Sequence, residues 1–173
     1  ATLNVVSDIL RQTQDSDWQD VLPAVSASFE RCGNLARFTS KLADVVRIPE
    51  PVRADLSLNE LVRSVDALTR IECRKRNISL SLSLADPDTI IRADGIQLEQ
   101  VLVNIVKNAY EAIGHDGRIR IVTTADPPSV TVEDNGPGIP EEIRKQLFTP
   151  FFTTKPSGQG IGLMFVREVL NNH

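Results

Sequence analysis

Asn104, Asn108 and Glu111 recur at four- and three-residue steps inside DGIQLEQVLVNIVKNAYEA, the stretch from Asp94 to Ala112. On a helix that spacing puts the three side chains on one face. An amide oxygen such as that of Asn108 suits a hard cation such as magnesium. Asn is a mediocre helix former, so two of them inside an otherwise apolar helix ask for a reason. Either they form a solvated face or they line a polar cavity, and the helix alone leaves both open. Three clusters follow. Asp134-Asn135-Gly136-Pro137-Gly138-Ile139 reads first as a turn. It is also chemistry: an Asp at a strand end can accept a hydrogen bond from an exocyclic amine, and the glycines let backbone approach a flat ring. Leu147 to Lys155, LFTPFFTTK, holds half of all the phenylalanines. They either pin a loop to the core or belong to a hinged lid, with Lys155 as a point charge for a phosphate. Gly158-Gln159-Gly160-Ile161-Gly162-Leu163 opens a helix running Met164 to Asn171. Glycines there free backbone amides to face an anion, although such loops also occur as plain linkers.

The elements that must position these groups are legible from periodicity. Asp94 is placed to cap the central helix, with Gln97 reaching back as in a capping box. Leu98, Val101, Leu102, Ile105, Ala109 and Ile113 form its expected buried stripe. Upstream, Thr2 to Thr13 and Trp18 to Val46 read as two helices joined by a polar turn, the second with a heptad-like seam. Such a hairpin cannot bury both faces alone, so a homodimer through residues 1–46, closing a four-helix bundle, is expected. Packing of the hairpin on its own chain is the plain alternative. Residues 47–52 contain RIPEPV, a proline-marked linker and domain boundary. Residues 53–173 then alternate strands and helices. Arg53 to Leu56 is an expected edge strand. Ser57 or Asn59 caps a helix to about Arg76, with Leu61, Val65, Leu68 and Ile71 as its core side. Ile78 to Ala85 alternates strictly and is a half-buried strand. Thr89 to Ala93, Arg118 to Thr124 and Ser129 to Glu133 complete the strands. The fold class is α+β: a helical hairpin followed by an α/β sandwich with one sheet face covered by helices.

Composition bounds the function classes. The 173 residues carry a net charge of −4, one Trp and one Tyr, with no basic stripe, which argues against a nucleic-acid partner. No apolar run is long enough to span a membrane, so no membrane contact is expected of this segment. Cys32 and Cys73 sit in helical patterns and read as reduced thiols of a cytoplasmic protein. The chain begins in mid-helix without a Met and reads as a fragment whose parent can carry a membrane anchor.

Taken together and in this order, the clusters are specific. An Asn-bearing helix, then DNGPGI, LFTPFFTTK and GQGIGL, resembles the nucleotide-binding domain of sensor histidine kinases, the fold shared with DNA gyrase and with the heat-shock chaperone and mismatch-repair ATPases. The resemblance covers roughly Leu56 to His173, and the FFTTK wording is like that of the nitrogen-regulator type. It implies ATP and Mg2+ as cofactors, with Asn108 on the metal and Asp134 on the adenine amino group. Gly136, Gly138 and Ile139 would shape the adenine pocket. Phe148, Phe152, Thr153 and Lys155 would belong to an ATP lid, and Gly158, Gly160, Ile161, Gly162 and Leu163 to the phosphate cradle. Asn104, Asn108 and Lys155 would form the catalytic set.

One position separates the branches of that superfamily. Its hydrolytic members carry a Glu, as general base, where this chain has Asn104. An amide cannot take a proton from water, so phosphoryl transfer to a side chain is expected over hydrolysis. The resemblance implies an acceptor His in the first hairpin helix and relay to an Asp of a response regulator receiver domain. The only histidines are His115, read as a loop residue, and His173, read as structural. The acceptor is therefore expected upstream of Ala1, and further strands after His173. The rivals are a hydrolytic ATPase clamp of the same fold, an inactive phosphotransfer or scaffold protein and, more remotely, a serine kinase.

Overall fold

The computed structural model describes residues 48–155 and 158–173. The chain divides into two compact units, Ala1–Val46 and Arg47–His173. The helical hairpin, its dimer and Cys32 lie outside the described residues. The second unit begins with β1 (Ala54–Ser57) and α1 (Leu58–Lys75), followed by β2 (Ile78–Ser83) and β3 (Ile90–Ala93). The central helix α2 (Gly95–Ile113) leads to β4 (Gly117–Ala125) and β5 (Pro128–Asp134), then a short α3 (Glu141–Arg144) and α4 (Gly162–Asn172). β1 pairs antiparallel with β3 in a two-stranded sheet. The second sheet has the order β2-β4-β5, with β2 parallel and β5 antiparallel to β4. A parallel pair needs a long crossover, and α2 lies within the one that joins β2 to β4. Among the described residues no helix is long and apolar enough to cross a membrane.

Burial explains why α2 is the pivot. Leu102, Val106 and Ala109 face the sheet, in one core with Val62, Val65 and Cys73 of α1 and with Ile119 and Ile121 of β4. Val101 belongs to a second core with Val166 and Val169 of α4, to which Leu98 and Ile105 also contribute. The expected single stripe is thus two adjacent stripes serving two partners. That leaves the third face, with Asn104, Asn108 and Glu111, outside either core.

Two expectations are corrected. Leu68 and Ile71 of α1 are 60% and 66% exposed and are not its core side. The buried residues are Leu58, Asn59, Leu61, Val62, Val65, Thr69 and Cys73, and one helix face is all that the sheet and α2 can cover. Thr69 is tolerated there because its hydroxyl donates to the Val65 carbonyl at 2.8 Å. Ser57, not Asn59, caps α1 by accepting from the Glu60 amide at 2.9 Å. The capping box on α2 does not close either. Asp94 Oδ1 accepts from the Ile96 and Gln97 amides as expected, both at 3.0 Å. The Gln97 side chain instead donates to the Pro49 carbonyl at 2.9 Å, and the Asp94 amide donates to Nε2 of His173 at 3.1 Å. Nδ1 of His173 lies 2.8 Å from the Val169 carbonyl, so the imidazole ties the end of α4 to the start of α2. The amides of Gln97 and Val52, which donate to Asp94, hold its carboxyl below the usual carboxylate range.

Candidate nucleotide-binding site

The polar face of α2 receives one side chain from the downstream loop. Lys155 Nζ lies 3.2 Å from Asn108 Oδ1 and 2.5 Å from Glu111 Oε2. Asn108, Glu111 and Lys155 are all half-buried, so the ammonium sits between two oxygen acceptors in a partly desolvated notch. Lys107 approaches the other Glu111 oxygen at 3.9 Å, one helical turn back. The Thr153 hydroxyl sets the approach of Lys155 by accepting from its backbone amide at 3.1 Å. Asn104 shares the face, half-buried, and its side chain takes no hydrogen bond among the described residues. Sequence spacing put Glu111 on this face; that it holds Lys155 was not foreseen.

The loop after β5 borders the last turn of the same helix. Asp134 ends β5, and its Oδ1 accepts from the Gly136 amide at 2.8 Å, which fixes the carboxylate and leaves Oδ2 without a partner among the described residues. A Cβ on Gly136 would stand 2.8 Å from Asp134 Oδ1 and would push the carboxylate aside, so glycine suits this position. Asn135, another residue that spacing did not single out, locks the strand ends by accepting from the Arg118 amide at 2.7 Å. Gly138 and Ile139 follow in the exposed stretch, and Ile139 presents an apolar side chain to solvent.

Residues 139–155 make up most of the stretch between Gly138 and Gly158 that is expected to form a lid. No residue between Thr123 and Val166 is fully buried among those described. Phe148 and Phe151 are exposed and Phe152 is half-buried, so these aromatics do not act as core anchors. The base of the lid is instead pinned by backbone. The Phe151 amide donates to the Gly160 carbonyl at 3.1 Å, and both residues have left-handed φ, +65° each. A Cβ on Gly160 would stand 2.3 Å from the Phe151 carbonyl carbon, so only glycine fits. A positive φ at Phe151 is a costly conformation for a bulky side chain and marks a constrained crossing. Gly158, Ile161, Gly162 and Leu163 lead into α4, whose first turn has no side-chain cap. No atom lies within 4 Å of the place a Cβ would take on Gly162, which leaves room beside free helix amides for an anion.

This arrangement can hold a flat amine-bearing ring at Asp134 and an anion at the start of α4. On α2, the oxygens of Asn108 and Glu111 already accept from the Lys155 ammonium. A family model described as Histidine kinase-, DNA gyrase B-, and HSP90-like ATPase matches residues 93–173. The catalytic domain of histidine kinase ThkA superposes with a TM-score of 0.64 at 39% identity, over 69% of this chain and 80% of that one. The chain belongs to the histidine kinase family. A second ThkA structure, in complex with response regulator protein TrrA, matches at 28% identity and a TM-score of 0.62, over 87% of this chain and 45% of that one. Sensor protein FixL of Bradyrhizobium diazoefficiens is 31% identical over 170 residues, 95% of this chain. The chain spans about a third of the length of that relative, 34%.

Proposed function

We propose that this chain is the ATP-dependent core of a protein histidine kinase, which transfers the γ-phosphoryl group of ATP to a His in its own dimerisation helix. Passage to an Asp of a response regulator would follow. The observation that carries the reading is the contact of Lys155, from the downstream loop, with Asn108 of α2 at 3.2 Å. Asp134 would accept from the adenine amine through Oδ2, while its Oδ1 stays on Gly136. Gly158, Gly160 and Gly162 would keep backbone amides open to the phosphates. Lys155 would neutralise developing charge as a lid residue, since phosphoryl transfer needs mainly positioning and charge compensation. The Asn108 oxygen already accepts from an ammonium, which fits a hard cation, and a metal shared with substrate phosphates needs only one or two protein donors. Asn108 would hold magnesium, which would supply charge compensation for the phosphates.

Asn104 favours transfer over hydrolysis, because its amide offers no base to a water molecule. Neither histidine present suits the acceptor role. His115 is an exposed loop residue at the end of α2, and both ring nitrogens of His173 are engaged. By the family likeness the acceptor would belong to the first hairpin helix, upstream of Ala1, in a homodimer formed through residues 1–46, and a domain that uses ATP in this way would work in the cytoplasm. The test is a chain extended upstream through that helix and incubated with magnesium and γ-labelled ATP. Acid-labile, alkali-stable label on the protein, lost with Asn108→Ala, is the expected result. Label found only in free phosphate would show a hydrolase and a wrong role for Asn104.

A further inference from the structure

Glu111 has no part in the nucleotide chemistry above, yet it makes the shortest polar contact of the site. A carboxylate near a triphosphate surface would repel it, so its presence on this face needs a compensating reason. Its Oε2 takes the Lys155 ammonium at 2.5 Å, while the same ammonium donates to Asn108 Oδ1 at 3.2 Å. We propose that Glu111 is a positioning residue that latches the lid to α2: it holds the Lys155 ammonium over the Asn108 oxygen, so that a metal ion and Lys155 compete for one acceptor. A cation that takes the Asn108 oxygen must displace the ammonium, and displacement frees Lys155 together with the lid segment that carries it. The carboxylate is not left bare, because Lys107 already lies 3.9 Å from its other oxygen. Glu111 therefore couples metal arrival to lid release. The competition rests on the nucleotide reading above; the latch itself does not.

The chain and its Glu111→Gln, Lys155→Met and doubly substituted variants are to be compared in two measurements. The first is amide hydrogen exchange without added nucleotide, read at Phe152 and Gly158, whose amides donate to the Thr149 and Lys155 carbonyls. A partly exposed ion pair predicts exchange roughly 1.5- to 5-fold faster in either single variant. The double variant should be no faster, because one contact has been removed twice. The second is affinity for ATP with magnesium. Glu111→Gln should bind more tightly by about the same factor, because no latch has to be broken. Lys155→Met should bind more weakly, because it loses a phosphate partner. The two substitutions would thus move the lid in one direction and affinity in opposite directions, which a merely structural pair would not do. Unchanged exchange in both single variants overturns the latch, even where Glu111→Gln tightens binding, since removal of a nearby negative charge then suffices. Exchange that rises as expected in a chain that binds no ATP would support the latch and overturn the nucleotide reading instead.

Discussion

Asp134→Asn isolates one acceptor without altering side-chain size. In the wild-type chain Oδ1 is committed to the Gly136 amide at 2.8 Å, and Oδ2 is the atom left to receive an exocyclic amine. Asparagine has one oxygen for these two donors. If the oxygen stays on Gly136, an NH2 group faces the adenine amine, donor against donor. If the amide flips, the NH2 faces the Gly136 N–H and the loop loses its internal bond. One of the two bonds is lost in either orientation. A hydrogen bond to a charged group contributes about 1.5–3 kcal/mol, so ATP affinity should fall by about 10- to 150-fold. Isothermal titration with ATP measures this directly. The thermal midpoint should hardly move, because Asp134 is exposed and surface changes are usually within about 0.5 kcal/mol. An affinity within twofold of wild type, in a chain that melts normally, would refute the assignment of Asp134 and with it the placement of the base.

Gly160→Ala should disrupt the lid base, since its Cβ would collide with the Phe151 backbone and its φ of +65° costs about 1–2 kcal/mol for an L side chain. Limited proteolysis between Pro140 and Lys155 should accelerate. Asp94→Ala should cost about 1–2 kcal/mol in urea titration through loss of the α2 cap. Because the folded Asp94 carboxyl titrates below its unfolded value, its contribution is complete above the unfolded pKa and disappears as pH falls through the folded one. Asp94→Asn should therefore flatten the acid limb of a stability–pH curve; an unchanged limb would count against this role. Ile119→Ala should cost about 2–5 kcal/mol, whereas Ile71→Ala should stay within about 0.5 kcal/mol, both read from urea midpoints.

Periodicity located every long element of the second unit because each buries a regular stripe, and α2 could be drawn almost to the residue. It misassigned Leu68 and Ile71 because hydrophobicity states what can be buried, whereas burial depends on which faces have neighbours. It also merged the two stripes of α2, since only the fold separates the surface against the sheet from the surface against α4. The site loops were legible as motifs, and the family likeness gave their roles. The side-chain partnerships were not. Lys155 reaching α2 and His173 reaching Asp94 join residues far apart in the chain, and no local spacing encodes them. The capping box failed for that reason: the Asp94 amide already had a distant acceptor.

The run from Thr124 to Phe165, in which no described residue is fully buried, has a practical consequence for anyone engineering this domain. Cooperative melting reports the two cores that meet on α2, to which the lid contributes no buried side chain among the described residues. Screens that select for a higher melting temperature will therefore be blind to the segment proposed as the ATP lid. A sequence thermostabilised through α1, α2 and α4 can keep, lose or retune its lid without any signature in the melt. Selection for turnover and selection for robustness will act on almost separate sets of positions, with α2 as the element that answers to both.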